Sequence, residues 1–475
     1  MAQRVVPRTL KGFQDHLPAK AIQRLRLLEK LVPLVERYGF VPLDSPAVEH
    51  LDVLLGSGGE GANKELFRFE SPEEEPVALR FDLTVPFARL LAQYPAELKP
   101  PFRRYAFGPV WRADKPGPGR YRQFTQFDFD HAGTADVAVD AEICSLMCEA
   151  MRAVGVEEHR LHVNSRRAMD ALLARCGVAD AEGQKAVLRV IDKLDKVGVP
   201  NVRLELGPGR VDESGDKIKG LGLDAAVIDR IAAALAIPRG TRAEVVASVR
   251  EFLGGTGADA VAELEELDES LRVLGVDDAH GVFDPSLARG LEYYTGPVFE
   301  MKLPAAPQFG TVMAGGRYDG LVERFTPNAL AATGGSIGVD RLLAALESLA
   351  EAPLPASTVQ AMIVVFKGVP KARYLEMAAE LRRAGVNTEV FFGKKKAGVT
   401  EQLAHANARG VPVAVIAGED ELARGEIAVK DLLAGAAARE GIEDRDAYLE
   451  AAKAGQQTIA RTRMVDYVKE LLARR

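Results

Sequence analysis

Ionisable and aromatic side chains are concentrated between Tyr105 and Gly133, in the segment YAFGPVWRADKPGPGRYRQFTQFDFDHAG. Two runs with strand character flank the loop DKPGPG, whose proline and glycine residues disfavour a helix. Side chains alternate along a strand, so one face of the second run should carry Arg122, Phe124, Gln126, Asp128 and Asp130. In the first run, Arg112 would point away from Trp111. This face suits a ligand with an anion, a flat ring and an amine. The alternative is a solvated hairpin, because exposed polar faces are common on antiparallel sheets.

The length and composition bound the class of protein. The 475 residues exceed the roughly 250–300 at which one core stops growing, so two or three domains are expected. A composition of 47% hydrophobic and 27% charged residues is typical of folded globular proteins rather than disordered ones. The net charge of −7 does not indicate nucleic-acid binding, although charge can be segregated by face.

The cysteines and the apolar runs indicate the compartment. Cys144, Cys148 and Cys176 form an odd, sparse set, which argues against a disulfide framework and is typical of a reducing compartment. Cys144 and Cys148 lie one helical turn apart, but no second ligand pair follows at a zinc-site spacing, so both are interpreted as packing residues. The sequence contains no signal-peptide core and no run of about 18 apolar residues. We therefore expect no membrane span and a cytoplasmic location.

Before residue 166 the sequence predicts helices and strands in alternation. Apolar spacing predicts a helix over 21–38 that ends at Gly39, followed by extended chain containing Pro46. Residues 78–91 predict a strand that becomes a helix after Pro86, with Arg80, Asp82 and Thr84 on one face. A further helix is expected over 137–155.

From Arg166 to about Leu274 the sequence becomes rich in alanine, leucine and charge. Helices are predicted there at 167–176, 181–194, 224–235, 242–252 and 258–274. This pattern indicates a helical insertion. Its charged faces are interpreted as solvated, with contact to a partner as the alternative.

Strand character returns at Gly281. Glycines at 290 and 296 favour bulges around Tyr293 and Tyr294. The later segment GGSIGVDRLL joins a glycine-rich strand to a helix near Arg341, and such a strand suits close approach by a ligand or another backbone.

The C-terminal part follows a proline- and alanine-rich linker at 350–358. Short β-rich runs alternate with helical segments, which predicts a small α/β domain with a largely parallel sheet. Three lysines at 394–396 form either a solvated turn or a phosphate contact. Alanine-rich helices are expected over 432–475.

Several segments resemble the histidyl-tRNA synthetases, which are class II aminoacyl-tRNA synthetases. KGFQDHLP is similar to the opening of that family, and YGFVPLDSPAVEH, Trp111–Asp130 and GGSIGVDRLL resemble the three class II motifs. ARGLEYYTG and AGGRYDGL resemble the histidine-specific signatures. LRFDLTVPFARLL, FDFDHAG and the long insertion resemble the eukaryotic-type branch more than the common bacterial one.

The resemblance implies an α+β fold with an antiparallel active-site sheet flanked by helices. The implied division is a catalytic domain at 1–165 and 276–349, a helical insertion at 166–275, a linker at 350–358 and an α/β anticodon-binding domain with a helical tail at 359–475. It also implies a homodimer with Pro46 at the interface. The implied substrates are L-histidine, ATP with Mg²⁺, and tRNA(His). Histidine is first joined to AMP with release of pyrophosphate, and is then transferred to the tRNA.

The resemblance also assigns residues. The implied catalytic residues are Arg112, Arg289 and Arg341. The implied ATP-binding residues are Arg112, Arg120, Arg122, Phe124 and Arg341, with Phe124 under adenine. The implied histidine-binding residues are Asp82, Thr84, Gln126, Asp130, Tyr293 and Tyr294. Of these, Asp130 and Tyr294 would contact the two imidazole nitrogens, since neutral imidazole presents one donor and one acceptor. No metal ligand is assigned.

Some positions depart from the common bacterial pattern. Asp82 and Asp130 stand where that pattern has glutamates, which preserves charge but changes reach. Two alternatives are a regulatory subunit of histidine biosynthesis without aminoacylation activity, and a class II synthetase for another amino acid. The arginines at 112, 289 and 341 and the C-terminal domain argue against the first, and the Tyr293–Tyr294 signature argues against the second.

Overall fold

The structure is a computed structural model of the 475-residue chain. It describes residues 5–55, 66–117, 119–212, 215–288, 294–327, 329–350, 357–393, 397–437 and 455–474. The predictions for Arg289, Gly290, Tyr293 and the lysines at 394–396, and for most of the linker, fall outside these residues. The chain divides into two compact units, one formed by Met1–Asp15 with Arg26–Ala350 and the other by His16–Leu25 with Glu351–Arg475.

The first unit is built on an antiparallel-rich sheet. The strands described up to residue 350 are β1 (Val41–Pro42), β2 (Val48–His50), β3 (Arg68–Glu70), β4 (Pro76–Leu79), β5 (Phe102–Trp111), β6 (Gln123–Ala132), β7 (Arg160–Ser165), β8 (Gly209–Val211), β9 (Lys217–Lys219), β10 (Gly281–Phe283), β11 (Pro297–Lys302), β12 (Thr311–Arg317) and β13 (Ala332–Gly338). Eight of them form one sheet in the order β1-β5-β6-β13-β12-β11-β7-β10. Pairing is antiparallel from β5 to β7 and parallel at the two edges. The predicted antiparallel sheet flanked by helices is confirmed.

Helices cover the apolar face of this sheet. The helices described up to residue 350 are α1 (Pro18–Arg37), α2 (Leu51–Leu54), α3 (Thr84–Gln93), α4 (Val137–Ala153), α5 (Arg166–Cys176), α6 (Ala181–Ile191), α7 (Leu194–Leu206), α8 (Ala225–Leu235), α9 (Arg242–Leu253), α10 (Ala258–Val273) and α11 (Val339–Leu349). Phe127 and Phe129 of β6 are fully buried and belong to one hydrophobic cluster with Leu31 of α1 and Met147 of α4. The alternation predicted for β6 therefore places Phe127 and Phe129 in the core and the residues beside them on the opposite face.

The predicted insertion is helical, and its helix bounds are confirmed to within a few residues. Side-chain caps explain several of the starts: the Asp180 carboxylate accepts the Gly183 N–H at the start of α6, and Thr241 forms a capping box with Glu244 at the start of α9. α7 and the β8–β9 hairpin were not predicted from the sequence. α7 contains Gly198 with a φ of +76°, two residues before Pro200, so its sequence lacks a continuous helical pattern. These helices share the hydrophobic cluster of the large sheet.

One local prediction before residue 100 is wrong. β4 ends at Leu79 and α3 begins at Thr84 rather than after Pro86. Arg80, Asp82 and Thr84 therefore do not share the face of one strand. Proline is tolerated in the first turn of a helix, where its missing N–H costs no hydrogen bond, so Pro86 does not delay the helix.

The second unit has its own mixed sheet. Its described elements are β14 (Ala361–Val364), α12 (Lys371–Arg383), β15 (Thr388–Val390), α13 (Val399–Ala408), β16 (Val413–Ile416), α14 (Glu419–Ala423), β17 (Glu426–Asp431), α15 (Leu432–Ala437), β18 (Gln456–Ala460) and α16 (Met464–Ala473). The sheet order is β15-β14-β16-β17-β18, with the first three strands parallel and the last two antiparallel. The predicted α/β domain is confirmed, but its sheet is mixed rather than largely parallel. The tail is not entirely helical because β18 extends the sheet. Every helix within the described ranges is too short or too polar to cross a bilayer.

Candidate active site

The polar face of the large sheet is organised in rows of residues that lie side by side on neighbouring strands. Directly paired residues point to the same face of a sheet. The register places three such rows across β5, β6, β13 and β12. The Asp130 row consists of Arg104, Asp130, Gly334 and Gly316. The Asp128 row consists of Ala106, Asp128, Ser336 and Ala314. The Gln126 row consists of Gly108, Gln126 and Gly338.

In the Asp130 row, the carboxylate is paired with an arginine and contacts a tyrosine hydroxyl, and a second tyrosine ring packs against the row. Asp130 Oδ2 lies 2.7 Å from Arg104 Nη2, and Asp130 Oδ1 accepts a hydrogen bond from the Tyr318 hydroxyl. Burial raises the pKa of Asp130, and Arg104 opposes the rise. A Cβ at Gly334 would lie 2.1 Å from Asp130 Oδ1, and one at Gly316 would lie 3.0 Å from the Tyr294 ring. The glycines therefore make room for the acid and for the tyrosine ring.

The Asp128 row differs in that the ion pair of Arg104 is made with Asp130 and not with Asp128. Asp128 is only 1% exposed, and its hydrogen-bonding neighbour is the Ser336 hydroxyl on β13. Burial raises the pKa of Asp128; Arg104 opposes this rise, and the negative charge of Asp130 adds to it. The other members of the row, Ala106, Ser336 and Ala314, are partly exposed. A buried carboxylate that is not ion-paired is costly, and a pKa raised by burial is a marker of functional sites.

The Gln126 row leads toward an arginine and an aromatic ring. Gln126 Nε2 donates to Ser336 Oγ at 2.8 Å, while its Oε1 has no partner among the described residues. The Arg112 guanidinium lies 5.3 Å from the centre of the Phe124 ring, and Arg112 Nε donates to the Phe81 carbonyl at 3.0 Å. A cation and an aromatic ring therefore lie together at one end of this face of the sheet, and Asp130 lies at the other end of the same face.

Asp82 lies between β4 and α3. Its Oδ1 accepts the Val85 N–H at 3.0 Å, so the carboxylate stabilises the start of the helix. Burial raises the pKa of Asp82, while the Val85 N–H and the Arg112 charge lower it. Thr84 is the first residue of the helix and is partly exposed. Asp82 and Arg112 are therefore close enough to interact electrostatically.

The remaining predicted arginines lie around the loop between β5 and β6. Arg120 binds Asp114 Oδ2 through Nε at 2.8 Å and Nη2 at 2.5 Å. Arg122 Nε donates to the Asp114 carbonyl at 3.2 Å.

Arg341 reaches the same loop from the start of α11. Its Nη1 donates to the Thr311 carbonyl at 2.9 Å, and a Cβ at Gly119 would lie 3.5 Å from Arg341 Cγ. The neighbouring Asp340 carboxylate accepts the Thr125 N–H at 2.6 Å, which fixes the helix start against β6.

The structure brings most of the predicted residues together. The shared face of β5 and β6 holds Arg112, Phe124, Gln126 and Asp130, and Asp82 lies within electrostatic reach of Arg112. Tyr294 covers Gly316 beside the Asp130 row. Arg120 is turned to Asp114, and Arg289 and Tyr293 lie outside the described residues.

No role was predicted from the sequence for Arg104, Asp128, Tyr318 or Ser336. A signal for Asp128 was present, because the period of two already placed it beside Gln126 and Asp130 on the polar face. Arg104 and Ser336 depend on strand register, which the sequence alone does not give. Within the described ranges, no group of three histidine, cysteine or acidic side chains is placed to ligate a metal ion.

Comparisons with known proteins agree with this geometry. A family model described as histidyl-tRNA synthetase matches residues 12–342, and one described as an anticodon binding domain matches residues 360–471. The histidine–tRNA ligase of Caulobacter vibrioides is 41% identical over 98% of this chain and 96% of its own length. That of Paracoccus denitrificans is 42% identical, over 98% and 97%. These relatives are bacterial, so they do not support the predicted eukaryotic-type branch.

Solved structures show the same fold. The histidyl-tRNA synthetase from Nostoc sp. PCC 7120 superposes with a TM-score of 0.81 at 28% identity, covering 98% of this chain and 100% of that one. A Bacillus halodurans protein described as an ATP phosphoribosyltransferase regulatory subunit/histidyl-tRNA synthetase has a TM-score of 0.70 at 22% identity, covering 85% of this chain and 97% of that one, which shows the fold alone. The two family models and the near-full-length relatives together show that this chain belongs to the histidyl-tRNA synthetase family and attaches histidine to tRNA.

Proposed function

We propose that the chain activates histidine with ATP on the polar face of its large sheet and then transfers it to the 3′ end of tRNA(His). The histidine carboxylate attacks the α-phosphorus of ATP, the bond to the β-phosphate oxygen breaks, and pyrophosphate leaves. One observation carries the proposal. A single strand face presents in order an arginine over an aromatic ring, an amide oxygen with no partner among the described residues, and two buried carboxylates. This order corresponds to the phosphate, base, amine and imidazole of the two substrates.

The phosphate end is assigned to the arginines. Arg112 and Arg289 would hold the α-phosphate, because a guanidinium stays protonated and can bind two oxygens at once. Among the described contacts of Arg112, only Nε donates, to the Phe81 carbonyl, so its Nη atoms remain available for phosphate oxygens. Arg341 would hold the γ-phosphate end with Arg120 or Arg122 beside it. Mg²⁺ would arrive as part of the ATP substrate, bound to phosphate oxygens.

The base and amino acid would occupy the rest of the face. Adenine would stack on Phe124, the ring that now lies under Arg112. Asp82, Thr84 and Gln126 would receive the α-ammonium group of histidine, and Gln126 Oε1 is an unpaired acceptor for it among the described residues. Asp130, Tyr293 and Tyr294 would enclose the imidazole. A pocket that must satisfy polar groups on its substrate rejects an apolar analogue by about 10⁴-fold or more.

ATP–pyrophosphate exchange with a panel of amino acids tests this proposal. We expect exchange with histidine and none with the other amino acids, followed by histidine transfer to tRNA(His). Exchange with a different amino acid would indicate another class II specificity. Absence of exchange would favour the regulatory-subunit alternative, against which the anticodon-binding match at residues 360–471 already argues.

A homodimer is part of the proposal. β1 is the edge strand of the large sheet, and Val41 on β1 and Phe107 on β5 are both close to half exposed. An edge strand flanked by exposed apolar side chains is suited to pairing with a second copy. Sedimentation equilibrium would give the mass of two chains, and a monomer at micromolar concentration would remove this part of the proposal.

A further inference from the structure

The opening segment KGFQDHLP lies against the loop between β5 and β6. Gly12 and Phe13 of this segment belong to the same compact unit as that loop. We propose that Gly12 is a positioning residue for ATP: its carbonyl ends the β5–β6 pairing at Arg122, and its missing side chain leaves the space through which the Arg122 side chain runs. This inference rests on the proposed function, since it explains how that same site orients the nucleotide.

The backbone hydrogen bonds of Arg122 show where the N-terminal segment enters the hairpin. β5 and β6 pair in register up to Trp111 and Gln123, so Arg112 and Arg122 are the next opposed residues. In a regular antiparallel ladder, the two residues of a hydrogen-bonded pair exchange both N–H···O bonds. Here the Arg112 N–H donates to the Arg122 carbonyl at 2.8 Å, but the Arg122 N–H donates to the Gly12 carbonyl, also at 2.8 Å. Gly12 therefore takes the place of the Arg112 carbonyl, and the pairing of the two strands ends at these arginines.

The side chain of Arg122 runs close to the place where any other residue at position 12 would carry its Cβ. A Cβ on Gly12 would lie 2.8 Å from Arg122 Cγ, 3.0 Å from Arg122 Cδ and 3.0 Å from Pro116 Cγ, all shorter than ordinary van der Waals contact. Gly12 also has a φ of +84°, in the left-handed region that glycine adopts without steric cost. At its other end, Arg122 Nε donates to the Asp114 carbonyl at 3.2 Å. The Arg122 side chain thus lies between the Gly12 backbone and the loop.

A pair of aromatic rings anchors the N-terminal segment to the rest of the unit. The Phe13 ring meets the Phe67 ring edge to face, with centroids 5.9 Å apart and planes at 83°. The Phe67 carbonyl accepts the Leu79 N–H at 3.0 Å at the end of β4. One residue later, the Arg80 carbonyl accepts the Trp111 N–H at 3.0 Å. The ring contact therefore connects the segment to the backbone that supports the end of β5.

The place of this contact along the sheet indicates which substrate it affects. Arg112 and Arg122 lie at the end of the hairpin that the proposed function assigns to the nucleotide. Residues of a strand rise by roughly 3.3 Å each, so Asp130 lies roughly 26 Å further along the chain from Arg122. Displacing the Arg122 side chain would therefore move a charge near the phosphates and leave the histidine end of the face unchanged. A misplacement of about 1 Å at a reacting group can cost about 100-fold in rate.

Gly12→Ala tests the inference in histidine-dependent ATP–pyrophosphate exchange. The added methyl group would displace the Arg122 side chain, so we expect KM for ATP to rise by about tenfold or more while KM for histidine changes by less than about twofold.

The matched control is Gly155→Ala. Gly155 has a φ of +87°, but among the described residues no atom lies within 4 Å of a Cβ built there. This variant introduces the same backbone strain without the contact to Arg122. It should lower the melting temperature about as much as Gly12→Ala does, and it should leave both KM values at the wild-type level.

Coupling to Arg122 separates displacement of that side chain from a general loss of structure. Arg122→Ala removes the Cγ and Cδ atoms that the new methyl group would meet. In the Arg122→Ala background, Gly12→Ala should change kcat/KM for ATP by less than about threefold, because the side chain that it displaces is already missing. Phe13→Ala gives a second variant should Gly12→Ala fold poorly. Phe13 is partly exposed, and loss of its ring contact should raise KM for ATP by about two- to tenfold.

Three outcomes would overturn the inference. A KM for ATP that is unchanged in Gly12→Ala and Phe13→Ala, or that rises just as much in Gly155→Ala, would show that the contact with Arg122 does not orient the nucleotide. Equal losses for ATP and histidine would show that Gly12 supports the whole face. Fully multiplicative effects of Gly12→Ala and Arg122→Ala would show that the glycine does not act through that side chain. Failure of the proposed function is a separate observation, because the wild-type protein would then show no histidine-dependent exchange.

Discussion

The two sheets of this protein differ in what covers their faces. The five-stranded sheet of the second unit has apolar clusters on both sides, with Ile363 and Val429 in one and Met362 and Ala414 in the other. The eight-stranded sheet has a large apolar cluster on one side, and on the other side a smaller apolar cluster reaches only its Ala132–Ala332 end. Its other face buries the cluster of Arg104, Asp128 and Asp130.

This difference indicates that the second sheet contributes mainly to stability, whereas the polar face of the first sheet is suited to binding a ligand. Apolar burial on both faces stabilises a sheet with no need for a ligand. Buried charges cost free energy unless they are paired, so a face that retains them without full pairing indicates a site for a bound molecule. Substitutions on the polar face should therefore change catalysis and stability independently, whereas substitutions in the second sheet should change stability alone.

The largest effect is expected from Arg104→Ala. This substitution leaves Asp130 buried without its cation, and breaking a buried ion pair from one side costs about 3–5 kcal/mol. Denaturant unfolding followed by fluorescence of Trp111, the only tryptophan, reports on the first unit. The matched control is Arg461→Ala in the second unit, which removes a partly exposed pair with Glu380 and should cost about 0–1 kcal/mol by circular dichroism. Similar losses for both variants would remove the contrast between the sheets.

Arg112→Ala should separate activity from stability. The Arg112 side chain is partly exposed and has one described hydrogen bond, to the Phe81 carbonyl, so unfolding should change by no more than about 1 kcal/mol. Loss of a cation at the reacting phosphate should lower histidine-dependent exchange by about 10²–10³-fold. Two quantities are measured: the exchange rate at saturating substrate concentrations, and the melting temperature. A large loss of stability with nearly normal exchange would show that Arg112 is structural.

Ile427→Val is the converse experiment in the second unit. Ile427 is fully buried in the apolar cluster on one side of β17, and removing one methyl group from such a site costs about 0.5–1.5 kcal/mol. Thermal unfolding should show this loss, while exchange with histidine should stay at the wild-type rate. A fall in exchange comparable to that of Arg112→Ala would contradict the assignment of chemistry to the first sheet.

The sequence alone predicted the features that depend on local periodicity. The alternation from Phe124 to Asp130 is confirmed because β5 and β6 pair over ten positions without a shift of register. The insertion helices were located by apolar spacing and ended at glycines such as Gly177 and Gly254, which have positive φ values.

The features that were missed depend on contacts between distant segments. The pairing of Arg104 with Asp130 follows from the register of two strands joined by a loop, and Tyr318 reaches Asp130 from 188 residues away. β18 was predicted to be part of a helical tail, but QQTIA becomes a strand by pairing with β17. Strand propensity is strongly dependent on such neighbours, so the isolated segment did not reveal it.

The smallest expected effect is a pH-dependent change in the stability of Asp128→Asn. Burial raises the pKa of Asp128, to about 7, so the folded protein holds this proton more tightly than the unfolded chain does. The groups around it are Arg104 on β5, Asp130 on β6, Ser336 on β13 and Asp82 before α3. As the pH rises from about 4 to about 7, the wild-type protein loses stability through this group because the buried carboxyl must ionise, and asparagine has no such proton to lose.

The melting temperature of Asp128→Asn relative to wild type should therefore rise with pH. Without ligands, we expect the two proteins to have nearly the same melting temperature at pH 5. At pH 8 we expect the melting temperature of the variant to be higher by about 2 °C or more. The comparison of the two proteins at each pH cancels the titration of groups common to both. Asp284→Asn is the opposite control: the pKa of Asp284 is lowered by its contacts with His162 and Ser286, so that variant should lose stability at every pH in this range. An Asp128→Asn variant that melts below wild type at pH 8 would show that the Asp128 charge is paired and stabilising, and the active face would then resemble the second sheet in being built for stability.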